Sequence, residues 1–221
     1  MKRFQWAAVL ALTLSAGSAW SQGWMKDMNV NGQLLLAARS SDEASITALL
    51  AKGADPNSRN RFGDTPLNSA AKSGNLHLAQ LMLEHGADVN AQNAAGISPL
   101  MSAAFYVHAD VFKMLLAHKA DATLTDRVNK TAAVYAAGNG CTDCLAALLD
   151  AGGDVNARYY NDLTTLMWAA GYGRAETVKM LLARGANAGL RDNRGKTALA
   201  IALDNGDKQT VEALRAGGAG N

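Results

Sequence analysis

Gly63-Asp64-Thr65-Pro66-Leu67 returns as Gly96-Ile97-Ser98-Pro99-Leu100, an offset of 33 residues, and the offset then continues without a gap. Thr65, Ser98, Thr131, Thr164 and Thr197 share one column. Ala70, Ala103, Ala136, Ala169 and Ala202 share a second, and Met82, Leu115, Leu148, Leu181 and Leu214 a third, in which Leu148 is expected to be buried. Ala87-Asp88-Val89-Asn90 comes back as Gly153-Asp154-Val155-Asn156, and Ala37, Ala38, Leu49, Leu50 and Ala54 to Asn57 extend the frame backward. A fixed period of this length is the mark of a stacked-repeat architecture. It divides the chain into six units at about 30–59, 60–92, 93–125, 126–158, 159–191 and 192–221.

The chemistry of one unit dictates its shape. Thr65 stands where a helix N-cap is wanted, and Pro66 takes the first helical position, where a missing N–H is harmless. Leu67, Ala70 and Ala71 make one apolar stripe, narrow enough for two helices to approach closely. Gly74 is placed to end that helix in a left-handed conformation. Leu78, Leu81 and Met82 line a second helix that Gly86 ends, and Ala-Asp-Val-Asn leads into an extended finger turning at Gly63 or Gly96. One such unit cannot bury its own apolar faces, whereas stacked neighbours can. The outer faces of the array are then expected to be polar. Val30 in the first unit's finger-glycine column, and Arg215 where Leu83, Leu116, Leu149 and Leu182 stand, fit that expectation.

The pattern Thr-Pro-Leu-x-x-Ala-Ala, Gly, Leu-Leu or Met-Leu, Gly-Ala-Asp-x-Asn resembles the ankyrin repeat and covers residues 30–221. The resemblance implies an all-α solenoid of about six helix-turn-helix units with short β-turn fingers. It also implies a non-catalytic role in binding another protein through the concave face and the finger tips. For an exported chain it suggests an inhibitor or immunity factor, or a helper of a periplasmic enzyme. The family's His after Pro-Leu is missing: Asn68, Met101, Val134 and Met167 stand there, which puts that residue's hydrogen bonds in doubt.

Residues 1–21 have the order of a cleaved signal peptide: Lys2 and Arg3, the apolar run Trp6 to Leu14, then Ala16, Gly17, Ser18 and Ala19. Cleavage is expected after Ala19 or Ser21, leaving a leader at 22–29 and a periplasmic or secreted product. The apolar run is too short to span about 30 Å of hydrocarbon, so no membrane insertion is expected once it is removed. The chain carries 21 basic and 19 acidic residues. Removal of Lys2 and Arg3 leaves the mature chain neutral, which argues against nucleic acid as a partner. The composition, 49% hydrophobic but only 6% aromatic, suits close-packed helices better than a β-sandwich. The mature chain is expected to be a monomer.

The third unit is the least regular. Val107 replaces Gly74, Gly140, Gly173 and Gly206, and Lys119 replaces Gly86, so a changed local backbone is expected there. Phe105 and Tyr106 end its first helix. The variable columns of finger tip and first-helix end hold Arg61, Phe62, Phe105, Tyr106, Arg127, Arg158, Tyr160 and Tyr172, which are the candidate protein-binding residues. Aromatic side chains and arginine bring large contact area on stiff frames. Trp168, in a column with Ser69, Ser102, Tyr135 and Ile201, is assigned to the core.

Cys141 and Cys144 are the only cysteines. They fit a local disulfide, two unlinked thiols, or, as the alternative function, a thiol–disulfide redox pair. No strand precedes them, so the usual context of such a redox motif is missing. His85 and His118 share a column without a carboxylate or thiol partner and read as surface residues. No metal site, cofactor or catalytic residue is expected: there is no nucleophile elbow, phosphate-cradling loop or zinc-protease motif.

Overall fold

The computed structural model describes residues 29–219. The proposed signal peptide, its cleavage positions and most of the leader at 22–29 lie outside these residues. Among the described residues twelve α-helices form six antiparallel pairs: α1 Val30–Ser40 and α2 Glu43–Ala51, α3 Pro66–Ser73 and α4 Leu76–Glu84, α5 Pro99–Phe105 and α6 Ala109–Ala117, α7 Ala132–Asn139 and α8 Thr142–Asp150, α9 Thr165–Gly171 and α10 Ala175–Ala183, α11 Ala198–Asn205 and α12 Lys208–Ala216. First helices stack on first helices and second on second, from one pair to the next.

The caps act as the repeat columns require. Thr65, Ser98, Thr131, Thr164 and Thr197 each accept a hydrogen bond from the backbone N–H three residues on. Asn68 completes a capping box with Thr65 and also donates from Nδ2 to the carbonyls of Ala91 and Ile97. It thereby supplies, in one unit, the cross-unit bonds that the missing histidine put in doubt. The apolar residues Met101, Val134 and Met167 fill the same column elsewhere and are buried.

The fingers are hydrogen-bonded turns, and no strand occurs among the described residues. Asn60 Oδ1 accepts from the N–H groups of Phe62 and Asp64, and Asn93 and Asp126 repeat the arrangement. Successive fingers touch through backbone bonds such as Ala94 N–H to the Phe62 carbonyl. Gly63 permits this approach: a Cβ there would lie 2.7 Å from Ala94 N.

The core is one continuous apolar layer between the helices, with Leu34, Leu67, Leu100, Leu166 and Leu199 forming its central ladder. Two expectations need correction. Val107 and Lys119 do not change the local backbone; they hold the left-handed conformation of their columns, at φ 63° and 62°. Backbone bonds into the preceding helix close both turns, His108 N–H to the Ala103 carbonyl and Ala120 N–H to the Leu115 carbonyl, and the residue bears the strain. Leu148 is only half-buried, whereas Met82, Leu115, Leu181 and Leu214 of its column are fully buried. The cause lies opposite: Ala133 replaces leucine in the central ladder. The space left there belongs to a pocket of about 350 Å³ whose wall includes both Ala133 and Leu148.

Candidate functional site

Three adjacent first helices, α5, α7 and α9, put an aromatic strip on one face, and α3 adds Lys72 at its edge. Phe105 packs edge-on against Tyr106 and against Tyr135 of the next unit, at ring separations of 5.0 and 5.6 Å. Trp168 stacks on Tyr172 at 6.0 Å. Two ammonium groups lie over these rings. Lys130 Nζ is 5.7 Å from the Tyr135 ring and 5.4 Å from that of Trp168, and Lys72 Nζ is 5.8 Å from that of Tyr106. Two concavities meet here. One of about 210 Å³ runs from Lys72 past Met101 to Tyr135, and one of about 90 Å³ lies between Phe105, Lys130, Trp168 and Tyr172. Phe105 and Tyr135 line both.

Gly138 makes room for this arrangement. It occupies the column of Lys72 and Phe105, and the Tyr172 ring lies over it, 3.4 Å from where a Cβ would be. Tyr135 is fixed from beneath: its hydroxyl donates to Asp126 Oδ2 at 2.5 Å, and Asp126 Oδ1 accepts the N–H groups of Val128 and Lys130. Burial first, and the Asp126 carboxylate second, push the Tyr135 phenol above its ordinary range, so it stays a protonated donor.

The expected binding residues divide into three sets. Phe105, Tyr106 and Tyr172 are exposed and belong to the strip. Arg61, Phe62, Arg127 and Tyr160 are exposed on finger tips, with the Arg61 guanidinium over the Phe62 ring at 4.7 Å. Arg158 is occupied structurally. Its Nη1 donates to the carbonyls of Asp162 and Arg191, clasping two fingers as Arg59 does through Gly63 and Gln92. Trp168 packs against the core as assigned, but it is only partly buried and also walls the groove, and its Nε1 has no acceptor among the described residues. Sequence reasoning missed Tyr135, Trp168 and Lys130 as one unit. The available signal was their column, which widens from Ser69 and Ser102 to Tyr135 and Trp168 in adjacent units.

Four cations of this face lack an acidic partner. Arg61, Lys72, Arg127 and Lys130 have no carboxylate within ion-pair distance among the described residues. The nearby acids are spoken for. Asp64 accepts from Asn93, Asp126 is buried under Tyr135, and Asp192 is buried and bound by Arg194. Burial works to raise the Asp192 carboxyl, but donation from Lys196 and Arg194 outweighs it and holds it below its ordinary value.

Cys141 and Cys144 form a disulfide with Cα atoms 5.2 Å apart, and both residues are buried. They occupy the N-cap and third positions of α8; at the N-cap, Asn75 and Asp207 accept an N–H in the second and sixth units, whereas His108 and Arg174 of the adjoining units do not. The covalent bond thus stands where the second and sixth units have a capping hydrogen bond. Among the described residues no group of three or more His, Cys, Asp or Glu is placed to hold a metal ion, and no helix is long and apolar enough to cross a membrane.

Comparison with known proteins agrees with the architecture. The family model for ankyrin repeats (3 copies) matches residues 34–126 and 133–220. The crystal structure of the ankyrin-repeat protein EF0377 superposes with a TM-score of 0.74 at 28% identity, covering 84% of this chain and 97% of that one. No curated protein matches. With the repeat columns, the stacked helix pairs and the family match in agreement, this chain belongs to the ankyrin-repeat family.

Proposed function

We propose that the protein is a non-catalytic binding module acting after export to the periplasm, and that it seats a partner protein on the aromatic strip and the neighbouring finger tips. The observation that carries this is Lys130, suspended over Tyr135 and Trp168 with no carboxylate partner. A partly buried lysine–aromatic arrangement with an unpaired cation favours a segment that brings apolar side chains together with Asp or Glu. Phe105, Tyr106 and Tyr172 supply the apolar anchors. Export is inferred from Lys2, Arg3 and the apolar run that follows them.

A thiol–disulfide exchange role for Cys141 and Cys144 is the weaker reading. Exchange needs a sulfur open to an attacking thiolate, and the two residues are 1% and 0% exposed.

Affinity capture tests the proposal. The chain from Gln22 onward is immobilised and exposed to periplasmic extract, beside a variant with Phe105→Ala, Tyr106→Ala and Lys130→Glu. Retention of one protein by the native chain and its loss from the variant is the expected result, with the complex weakening as ionic strength rises. Addition of the chain to the captured protein then separates an inhibitor, which lowers that protein's activity, from a helper, which raises it. Equal retention on both columns contradicts the proposal.

A further inference from the structure

The pocket beneath the fourth unit is built by three departures from the repeat that converge in space. Ala133 stands where the central ladder has leucine, and Leu145, Leu148 and Leu181 line the resulting space. Thr123 stands where Asn57, Asn90 and Asn156 do. Those three asparagines accept from the backbone N–H of Asp88, Asp121 and Asn187. Thr123 turns its hydroxyl to Asp121 instead, and the Asp154 N–H keeps no protein acceptor among the described residues. Tyr159, finally, takes the finger position of Asn60, Asn93, Asp126 and Asp192. It cannot make their turn bonds. Its ring packs against the core and walls the pocket, and its hydroxyl has no hydrogen-bond partner among the described residues.

We propose that this pocket is a binding site for a small neutral apolar molecule carrying one hydrogen-bond acceptor, such as an aryl ketone. A cavity of 150 Å³ lined by apolar side chains holds benzene. At about 350 Å³ this one has room for on the order of ten heavy atoms. Two donors of wall residues, Asp154 N–H and Tyr159 O–H, have no protein acceptor among the described residues and can each serve an acceptor on a ligand. The Asp154 carboxylate beside them rejects an anion. Burial raises the Tyr159 phenol, with Asp154 adding to the effect, so the hydroxyl keeps its proton at neutral pH. A packing defect alone would leave the donor positions to chance. Here the lost leucine, the lost asparagine link and the displaced tyrosine all border the same space.

The test uses three probes: acetophenone, ethylbenzene as its counterpart without the carbonyl, and benzoate. Acetophenone at ten times its Kd should raise Tm by about 3 °C. Ethylbenzene should bind about 2–10-fold more weakly, and benzoate should give no shift. Ala133→Leu fills the space: it should raise the Tm of the free protein and abolish the shift. Thr123→Asn leaves the apolar pocket intact and supplies an acceptor to Asp154 N–H. That variant should bind ethylbenzene as the native chain does and lose the preference for acetophenone. The proposal is overturned by a native chain that none of the neutral probes stabilises, or by an acetophenone shift that survives in Ala133→Leu. Should Ala133→Leu fail to fold, the Thr123→Asn comparison decides: an unchanged acetophenone preference there contradicts the donor assignment.

Discussion

Val107 carries a β-branched side chain at φ 63°, in the column where four other units place glycine. A left-handed non-glycine residue costs roughly 1–2 kcal/mol. The side chain is 47% exposed, so its removal forfeits little packing. Val107→Gly is therefore expected to stabilise the chain by about 1 kcal/mol, read as a higher urea midpoint. A lower midpoint would mean that Val107 makes contacts that outweigh its strain. The substitution itself was legible in the sequence. Its consequence was not, because whether a turn bends to suit its residue depends on the backbone bonds that close it.

Asp42 permits a second test at this scale. Its Oδ2 accepts from the Ser45 hydroxyl at 2.6 Å and its Oδ1 from the Ser45 N–H at 3.1 Å. These bonds, the hydroxyl first, hold its carboxyl below the ordinary 3.8. A folded-state value below the unfolded one gives stability that is complete above the unfolded value and is lost as pH falls through the folded one. Asp42→Asn keeps the acceptor but cannot titrate. Circular dichroism melts between pH 2 and 6 should show a flatter acid limb for the variant; parallel curves would contradict this reading of the cap.

The elements were the most legible level. N-caps at Thr65 and Thr131, the alanine stripe and the helix-ending glycines predict two helices per unit, and the structure has them. Leu148 was misjudged because burial depends on the residue opposite as well as on the column. Ala133 removes that neighbour. Leu181→Ala should cost about 2–5 kcal/mol, as a fully buried leucine does, and Leu148→Ala roughly half of that. Equal losses in chemical denaturation would contradict the pocket. The disulfide at the start of α8 supports another prediction. Cys141→Asn with Cys144→Ala restores a side-chain cap like that of Asn75. It should exceed Cys141→Ala with Cys144→Ala in stability by about 1 kcal/mol. Equal stabilities would show that the N-cap of α8 contributes nothing.

On the scale of the whole molecule, the repeat number and the stacking follow from the 33-residue period, since each unit leans only on its neighbours. The proposed binding face was only partly legible. Phe105, Tyr106 and Tyr172 fall in variable columns and could be named one by one. The joining of Tyr135 to Phe105, and the reach of Lys130 over Trp168, are contacts between units that a column-by-column reading does not contain. Arg158, in a variable region, also ties two fingers together, a role its column does not announce.

Recognition is proposed to rest on the face that carries the aromatic strip, here the inner face. The most direct measurement is the dissociation constant of the captured partner for three chains: native, Phe105→Ala with Lys130→Glu on the inner face, and Lys113→Ala with Lys179→Ala on the outer helices α6 and α10. The account predicts a loss of affinity on the order of 100-fold or more for the inner-face variant and less than about threefold for the outer one. A partner that binds the inner-face variant as tightly as the native chain, or that is lost only by the outer-face variant, would contradict it.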